Sequence, residues 1–147
     1  MNRRLVSATL SVLSTAAAGA QAAECVPKVE NAWIRMPPSA SMPMMAGFAR
    51  ISNPCAQEIV VTGAESLAFG DVSLHESREV DGVSRMREIE VLPIAAGKSV
   101  ELKPGGLHLM LYRPESAFKE GEQPVITLKL KGGRSVPVTF TVRRSAP

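Results

Sequence analysis

The chain has 147 residues, a length that suits a single domain with one hydrophobic core. Its 17 Lys and Arg residues nearly balance its 14 Asp and Glu residues, so the formal charge at pH 7 is only +3. This balance gives no indication of nucleic-acid binding, which requires a strongly basic surface. Since no segment holds the ~18 to 20 continuous apolar residues of a transmembrane helix, we predict no membrane span.

The N-terminal segment is typical of a secretory signal peptide. Arg3 and Arg4 form a basic start, residues 5–20 are moderately apolar, and residues 20–22 read Ala-Gln-Ala, a common cleavage sequence. We therefore predict that residues 1–22 are a signal peptide and that residues 23–147 form one exported domain. Removal of the two arginines lowers the formal charge to +1.

Two cysteines, Cys25 and Cys55, remain in the predicted exported domain. An even count in an oxidising compartment favours a disulfide, and a redox pair or thiolate metal ligands is the alternative. Glu24 directly precedes Cys25, where bacterial lipoprotein signals require a small residue. We therefore expect a soluble exported protein without a lipid on Cys25.

Short runs rich in Val, Ile, Leu and Thr recur along the exported domain, separated by Pro, Gly, Asn and Asp. This pattern predicts an all-β domain, arranged as a two-sheet sandwich or a Greek-key barrel. The nine predicted strands are residues 28–35, 45–52, 58–64, 72–80, 83–92, 99–102, 107–112, 125–130 and 135–143.

The dipeptide Asp81-Gly82 between two strand-forming runs predicts a hairpin with a two-residue type I′ turn. In that register Ser77 pairs with Met86 and His75 pairs with Glu88. His75 and Met86 then become diagonal neighbours on one face of the hairpin, roughly 7 to 8 Å apart at the backbone.

A second histidine and methionine share a face of a later strand. His108 and Met110 are two residues apart, so their side chains point the same way, while the leucines at 107, 109 and 111 point to the opposite face. The leucines are the candidates for the core. Strand spacing alone does not place this strand beside the hairpin.

These four residues form a mixed donor set of two imidazoles and two thioethers. A soft set of this kind suits Cu(I) better than magnesium, calcium or manganese, which prefer oxygen ligands. Taken singly, each histidine is more often a hydrogen-bonded residue and each methionine a core residue. Because both histidines of the chain have a methionine on the same face, we interpret His75, Met86, His108 and Met110 together as a Cu(I) site.

Three further methionines, Met42, Met44 and Met45, lie in the Pro-containing segment between the first two predicted strands. As an exposed cluster they are candidates for an auxiliary copper entry point. The alternative, which we favour, is that Met44 and Met45 are flexible core filling at the start of a strand.

The spacing of the four residues resembles the signature of the periplasmic Cu(I) chaperones of the PCuAC type. That signature is His, ten residues, Met, twenty-one residues, His, one residue, Met. The surroundings of the histidines, residues 74–76 and 105–111, and residues 31–35 in the first strand are also similar to that family. The His- and Met-rich C-terminal extension of some family members has no counterpart in residues 142–147.

The resemblance implies a cupredoxin-like β-barrel in the periplasm that binds one Cu(I) through His75, Met86, His108 and Met110. It also implies delivery of copper to a respiratory oxidase, with cytochrome c oxidase subunit II and Sco-type thiol proteins as partners. We expect a monomer.

Two other functions remain open at this point. A blue-copper electron-transfer protein has a similar fold but needs a cysteine ligand, and neither cysteine lies near His108 in the sequence. A metal-free sandwich domain for adhesion or assembly is the second. An enzyme is not expected, because no histidine is left as a general base and no nucleophile motif is present. Glu76 and Glu88 are candidates for orienting His75, or are solvated strand residues.

Overall fold

The computed structural model describes residues 24–147, which form eleven β-strands and no helix. The predicted signal peptide, residues 1–22, lies outside the described residues. In chain order the strands are β1 (Lys28–Arg35), β2 (Met44–Ser52), β3 (Ile59–Glu65), β4 (Phe69–Val80), β5 (Val83–Glu88), β6 (Leu92–Ile94), β7 (Ser99–Leu102), β8 (Leu107–Pro114), β9 (Val125–Leu130), β10 (Ser135–Thr139) and β11 (Thr141–Arg143). Across the described residues, no helix is long and apolar enough to cross a membrane.

The strands form two sheets, so the predicted all-β architecture is confirmed. The larger sheet has the order β11-β1-β2-β7-β8-β4-β5, and the smaller has the order β10-β9-β3-β6. Most neighbours are antiparallel, but β1 pairs in parallel with β11, and β7 with β8. Because β4 lies between β5 and β8, the hairpin and the later strand become neighbours in the larger sheet.

The strand count differs from the predicted nine because two predicted strands are each divided. The run 83–92 is broken after Glu88, so that β5 pairs with β4 in the larger sheet and β6 pairs with β3 in the smaller one. The run 135–143 is broken at Phe140, so that β10 pairs with β9 and β11 pairs with β1. At both places the chain crosses from one sheet to the other.

The hydrophobic core includes residues from both sheets, and the larger sheet contributes alternate residues to it. On β2 and β8, Met45 pairs with Leu111 and Gly47 pairs with Leu109, and the three larger side chains belong to the core cluster. A further buried apolar group lies outside that cluster, on the outer face of the same sheet: Trp33, Phe48 and Met110. The larger sheet is therefore apolar on both faces near its centre.

Cys25 and Cys55 form a disulfide that ties the segment before β1 to the loop after β2, with 5.8 Å between their Cα atoms. The buried Asn53 side chain orders that loop. Its Nδ2 donates to the carbonyls of Gln57 and Ile94 at 2.8 and 2.9 Å, and its Oδ1 accepts from the backbone N–H of Cys55 at 2.9 Å. The favoured prediction of a disulfide is confirmed, and neither sulfur is a free thiolate.

Candidate metal centre

The β4–β5 hairpin has the predicted turn and register. Asp81 and Gly82 adopt φ values of 53° and 74°, the left-handed conformation that a type I′ turn requires at both positions. His75 pairs with Glu88 and Ser77 pairs with Met86. His75 and Met86 are therefore diagonal neighbours on one face of the hairpin.

The neighbouring strand β8 brings the second histidine directly opposite the first. His75 pairs with His108 in the β4–β8 register, and the two ring centroids are 5.9 Å apart in a stacked arrangement. Met110, two residues along β8, pairs with Ser73 and so lies on the same outer face. The structure thus brings the two histidines and both methionines onto one face of three adjacent strands.

Burial separates the four residues into two groups. His75, His108 and Met110 are only 8%, 6% and 7% exposed, whereas Met86 is 53% exposed. The difference follows from the fold, because every residue of β5 is solvent-exposed. Three of the four side chains are therefore held within the protein, and the fourth lies at its surface.

His108 is oriented by the main chain. Its Nδ1–H donates a hydrogen bond to the carbonyl of Gly106 at 2.9 Å, since a carbonyl can only accept. In the neutral ring, this proton on Nδ1 leaves Nε2 with the lone pair that a metal ion would need. A backbone acceptor of this kind fixes both the tautomer and the ring orientation of a metal-binding histidine.

His75 has one partnered and one unpartnered nitrogen. Its Nε2 lies 2.9 Å from Ser73 Oγ, while its Nδ1 is buried without a hydrogen-bond partner. Buried polar atoms are nearly always satisfied, so an unpartnered ring nitrogen is unusual. When Nε2–H donates to Ser73, Nδ1 carries a free lone pair.

Burial lowers the pKa of His75, and the adjacent His108 lowers it further, while the charge of Glu88 opposes both effects. Burial has this effect because it disfavours the charged imidazolium. The ring therefore stays neutral at pH values where an exposed histidine begins to take up a proton. A neutral imidazole is the form that binds a metal ion.

The two glutamates flanking the site have different surroundings. Glu76 faces the opposite side of the hairpin, where Arg87 and Arg78 contact its carboxylate at 2.8 and 2.9 Å. Hydrogen bonds from these two arginines lower the pKa of Glu76. Of the two, only Glu88 acts on His75, from the paired position on β5.

Sequence reasoning missed three groups near the histidines. They are the hydroxyl of Ser73, the carbonyl of Gly106 and the ring of Tyr112, whose centroid is 6.5 Å from that of His75. Ser73 is two residues before His75 and Tyr112 two residues after Met110, so strand alternation places both on the outer face. That alternation was the signal available in the sequence.

The methionines at the start of β2 have different environments. Met45 is buried in the core, as predicted for core filling, while Met42 and Met44 are exposed. The prediction of core filling is therefore confirmed for Met45 and wrong for Met44.

The outer face of these strands carries sulfur as well as nitrogen donors. In residues 24–147, no three His, Cys, Asp or Glu side chains are grouped as a metal site. An ion shared by His75 and His108 would therefore take its further ligands from the thioethers on the same face. The disulfide leaves no thiolate for a blue-copper centre.

Residues 27–142 match the family model described as "Putative lipoprotein LpqE-like". The chain is also similar to "Putative lipoprotein Lxx21020" of Leifsonia xyli subsp. xyli, at 31% identity over 117 residues. That alignment covers 79% of this chain and 69% of the relative.

Two solved structures share the fold. The apo PCuAC domain from PmoF1 superimposes with a TM-score of 0.67 at 18% identity, covering 84% of this chain and 98% of that domain. The solution structure of Cu(I)-DR1885 from Deinococcus radiodurans has a TM-score of 0.63 at 29% identity, covering 87% of this chain and 84% of that one. The predicted cupredoxin-like fold is confirmed by these matches. The chain belongs to the LpqE-like family and has the fold of PCuAC domains.

Proposed function

We propose that this protein is an exported copper chaperone that binds one Cu(I) through His75, His108, Met110 and Met86 and passes it to a receiving protein. The observation that carries the proposal is the pair of buried imidazoles on adjacent strands, 5.9 Å apart, with methionines on the same face. Copper is the cargo of this site.

Both imidazoles have a nitrogen that is available to bind copper. The lowered pKa of His75 keeps the ring neutral, and its Nδ1 has no hydrogen bond to give up. His108 has its Nδ1 proton fixed on Gly106, which leaves Nε2 free. Two imidazole nitrogens supplemented by thioethers favour Cu(I) over hard cations.

The Deinococcus radiodurans protein was solved with Cu(I), and its 29% identity over most of both chains supports copper as the cargo here. The family description supports export, since lipoproteins are exported proteins. The disulfide also suits an oxidising compartment such as the periplasm. Because the disulfide occupies the Cys25 sulfur, that residue is not free to carry a thioether-linked lipid.

Transfer rather than catalysis fits this donor set. A thioether has no proton to release, so Met86 and Met110 can bind or leave copper without a proton-transfer step. Met86 is exposed, so a ligand of a receiving protein can displace it first while the buried imidazoles still hold the ion. Cytochrome c oxidase subunit II and Sco-type thiol proteins are the proposed receivers or assembly partners.

Anaerobic Cu(I) titration against a strong competing chelator tests the proposal. We expect one tight equivalent for the unsubstituted chain and a sharply weaker one for His108→Ala and for Met86→Ala. Met45→Leu is the matched control, because this methionine faces the core and a Leu of similar volume is well tolerated there. Absence of Cu(I) uptake, or equal affinity in all four proteins, would contradict the proposal.

A further inference from the structure

The methionines that begin β2 are divided between the two faces of the larger sheet. Met45 pairs with Leu111 and points into the core, whereas Met44 pairs with Tyr112 on the outer face. Tyr112 is the residue whose ring lies beside His75. Met44 therefore shares the face of the candidate metal centre, on the side away from Met86.

Met44 is a near neighbour of Met110 across the strands. The register pairs Ala46 with Met110 and Met44 with Tyr112, so that Met44 and Met110 are diagonal neighbours. Such neighbours lie roughly 7 to 8 Å apart at the backbone, within reach of two long side chains. On β2 the residue directly opposite Met110 is Ala46, whose small side chain leaves room for the two thioethers to approach each other.

The methionines near this end of the site differ in exposure. Met110 is 7% exposed, whereas Met44 and Met42, just before β2, are 36% and 38% exposed. The side chains of Met42 and Met44 are therefore accessible from solvent, and a thioether is a soft donor that suits Cu(I). Met44 thus begins the strand that pairs with β8, and Met42 lies two residues before it in the preceding loop.

We propose that Met44, assisted by Met42, is a transfer ligand through which Cu(I) reaches and leaves the centre by way of Met110. This inference rests on the proposed function and adds a second route of exchange, opposite Met86. The step is a ligand exchange. When Cu(I) arrives, the Met44 thioether binds it before the bond between copper and a ligand of the delivering molecule breaks. The ion stays monovalent throughout. No proton moves, because thioethers carry none.

A transfer ligand changes rates without changing the equilibrium. For Met44→Leu and the double variant with Met42→Leu, we expect Cu(I) affinity equal to that of the unsubstituted chain. Transfer to and from a chromophoric Cu(I) chelator, followed by anaerobic stopped flow, should slow about tenfold in both directions, as for a barrier raised by about 1.4 kcal/mol. Met45→Leu is the control, one residue away and facing the core, and it should keep the original rates.

Two outcomes, one kinetic and one at equilibrium, would overturn the inference while leaving the proposed function intact. The first is an unchanged transfer rate in the double variant. The second is a loss of affinity in Met44→Leu as large as that in His108→Ala, which would make Met44 a ligand of the resting centre. If the unsubstituted chain takes up no Cu(I), both proposals fail together.

Methyl resonances give an independent readout with the redox-inert ion Ag(I) as the probe. In protein labelled with 13C at the methionine methyls, we expect the signals of Met42 and Met44 to shift once Ag(I) exceeds one equivalent, with Met45 unaffected. Unchanged Met42 and Met44 signals at every ratio would contradict a role in transfer.

Discussion

The two imidazoles of the site are held by different kinds of groups. His108 is fixed by a main-chain carbonyl, while His75 depends on the hydroxyl of Ser73. A side-chain substitution can therefore remove the hydrogen bond that orients His75, but not the main-chain bond that orients His108. We therefore expect Ser73 to act through His75 as a positioning residue.

For Ser73→Ala we expect a ten- to hundredfold loss of Cu(I) affinity, about the effect of removing a partner of a metal-binding histidine. The ring 15N shifts of copper-free protein should also show a mixture of His75 tautomers, which a purely structural role would not produce. Ser77→Ala is the control, because Ser77 lies on the same strand and face. Unchanged tautomer populations in Ser73→Ala would contradict this role.

The lowered pKa of His75 makes the stability of the copper-free protein depend on pH in a definite direction. The unfolded chain takes up this proton near the ordinary value of 6.5, and the folded chain only at lower pH. The unfolded state thus binds more protons in between, so the copper-free protein loses stability as pH falls from 6.5 towards the folded-state pKa. Well above pH 6.5 the ring is neutral in both states, so His75 no longer makes stability depend on pH.

Urea unfolding of copper-free protein between pH 8 and pH 5 measures this effect, and His75→Gln should remove its contribution. An NMR titration should place the His75 midpoint below that of a free imidazole. Glu88→Gln should lower it further, because the charge of Glu88 raises the pKa. A His75 midpoint above 6.5 would contradict the burial argument.

At the scale of elements, the hairpin was predictable and the sheet crossings were not. Asp81-Gly82 determines the turn, and a two-residue turn determines every pairing along β4 and β5, so the face shared by His75 and Met86 follows from the sequence. The breaks after Glu88 and at Phe140 occur inside apolar runs. Periodicity reports that such a run is buried, but not in which sheet each half pairs.

The same turn provides a test of how the hairpin positions Met86. Gly82 has a φ of 74°, where a side chain costs about 1 to 2 kcal/mol. For Gly82→Val we expect the hairpin end to open, with faster amide exchange near the turn and a loss of Cu(I) affinity approaching that of Met86→Ala. Gly97→Val is the control, since Gly97 has a φ of 72° in the loop between β6 and β7.

The control should lose similar stability in denaturant unfolding and keep its copper affinity. Equal copper affinities in Gly82→Val and the unsubstituted chain would show that the turn does not position Met86.

For the molecule as a whole, the pairing of β8 with β4 could not be derived from the spacing of residues in the sequence. His75 and His108 are 33 positions apart, with β5, β6 and β7 between them, and many sheet orders are compatible with the same strands. Their convergence was expected only through the resemblance to the PCuAC chaperones. The disulfide was a simpler inference, because two cysteines allow one pairing.

The disulfide joins residues 30 positions apart, so it should stabilise the whole domain by limiting the unfolded chain. For the double variant Cys25→Ser and Cys55→Ser we expect a loss of about 3 to 4 kcal/mol in the free energy of unfolding. Copper affinity should not change, because β4, β5 and β8 contain neither cysteine. Denaturant unfolding and chelator competition measure the two quantities. A parallel loss of copper affinity would indicate that the disulfide shapes the site.

The buried apolar group on the outer face of the larger sheet, Trp33, Phe48 and Met110, has a practical consequence for these measurements. Trp33 is the sole tryptophan of the chain, is 5% exposed, and packs against Phe48 at 4.7 Å between ring centroids. Its fluorescence therefore reports on one layer of the molecule, the same face that carries Met110 and both histidines. Emission at short wavelength would indicate that this layer is intact, and a red shift would show water reaching it. The protein contains its own optical probe, and no dye is required.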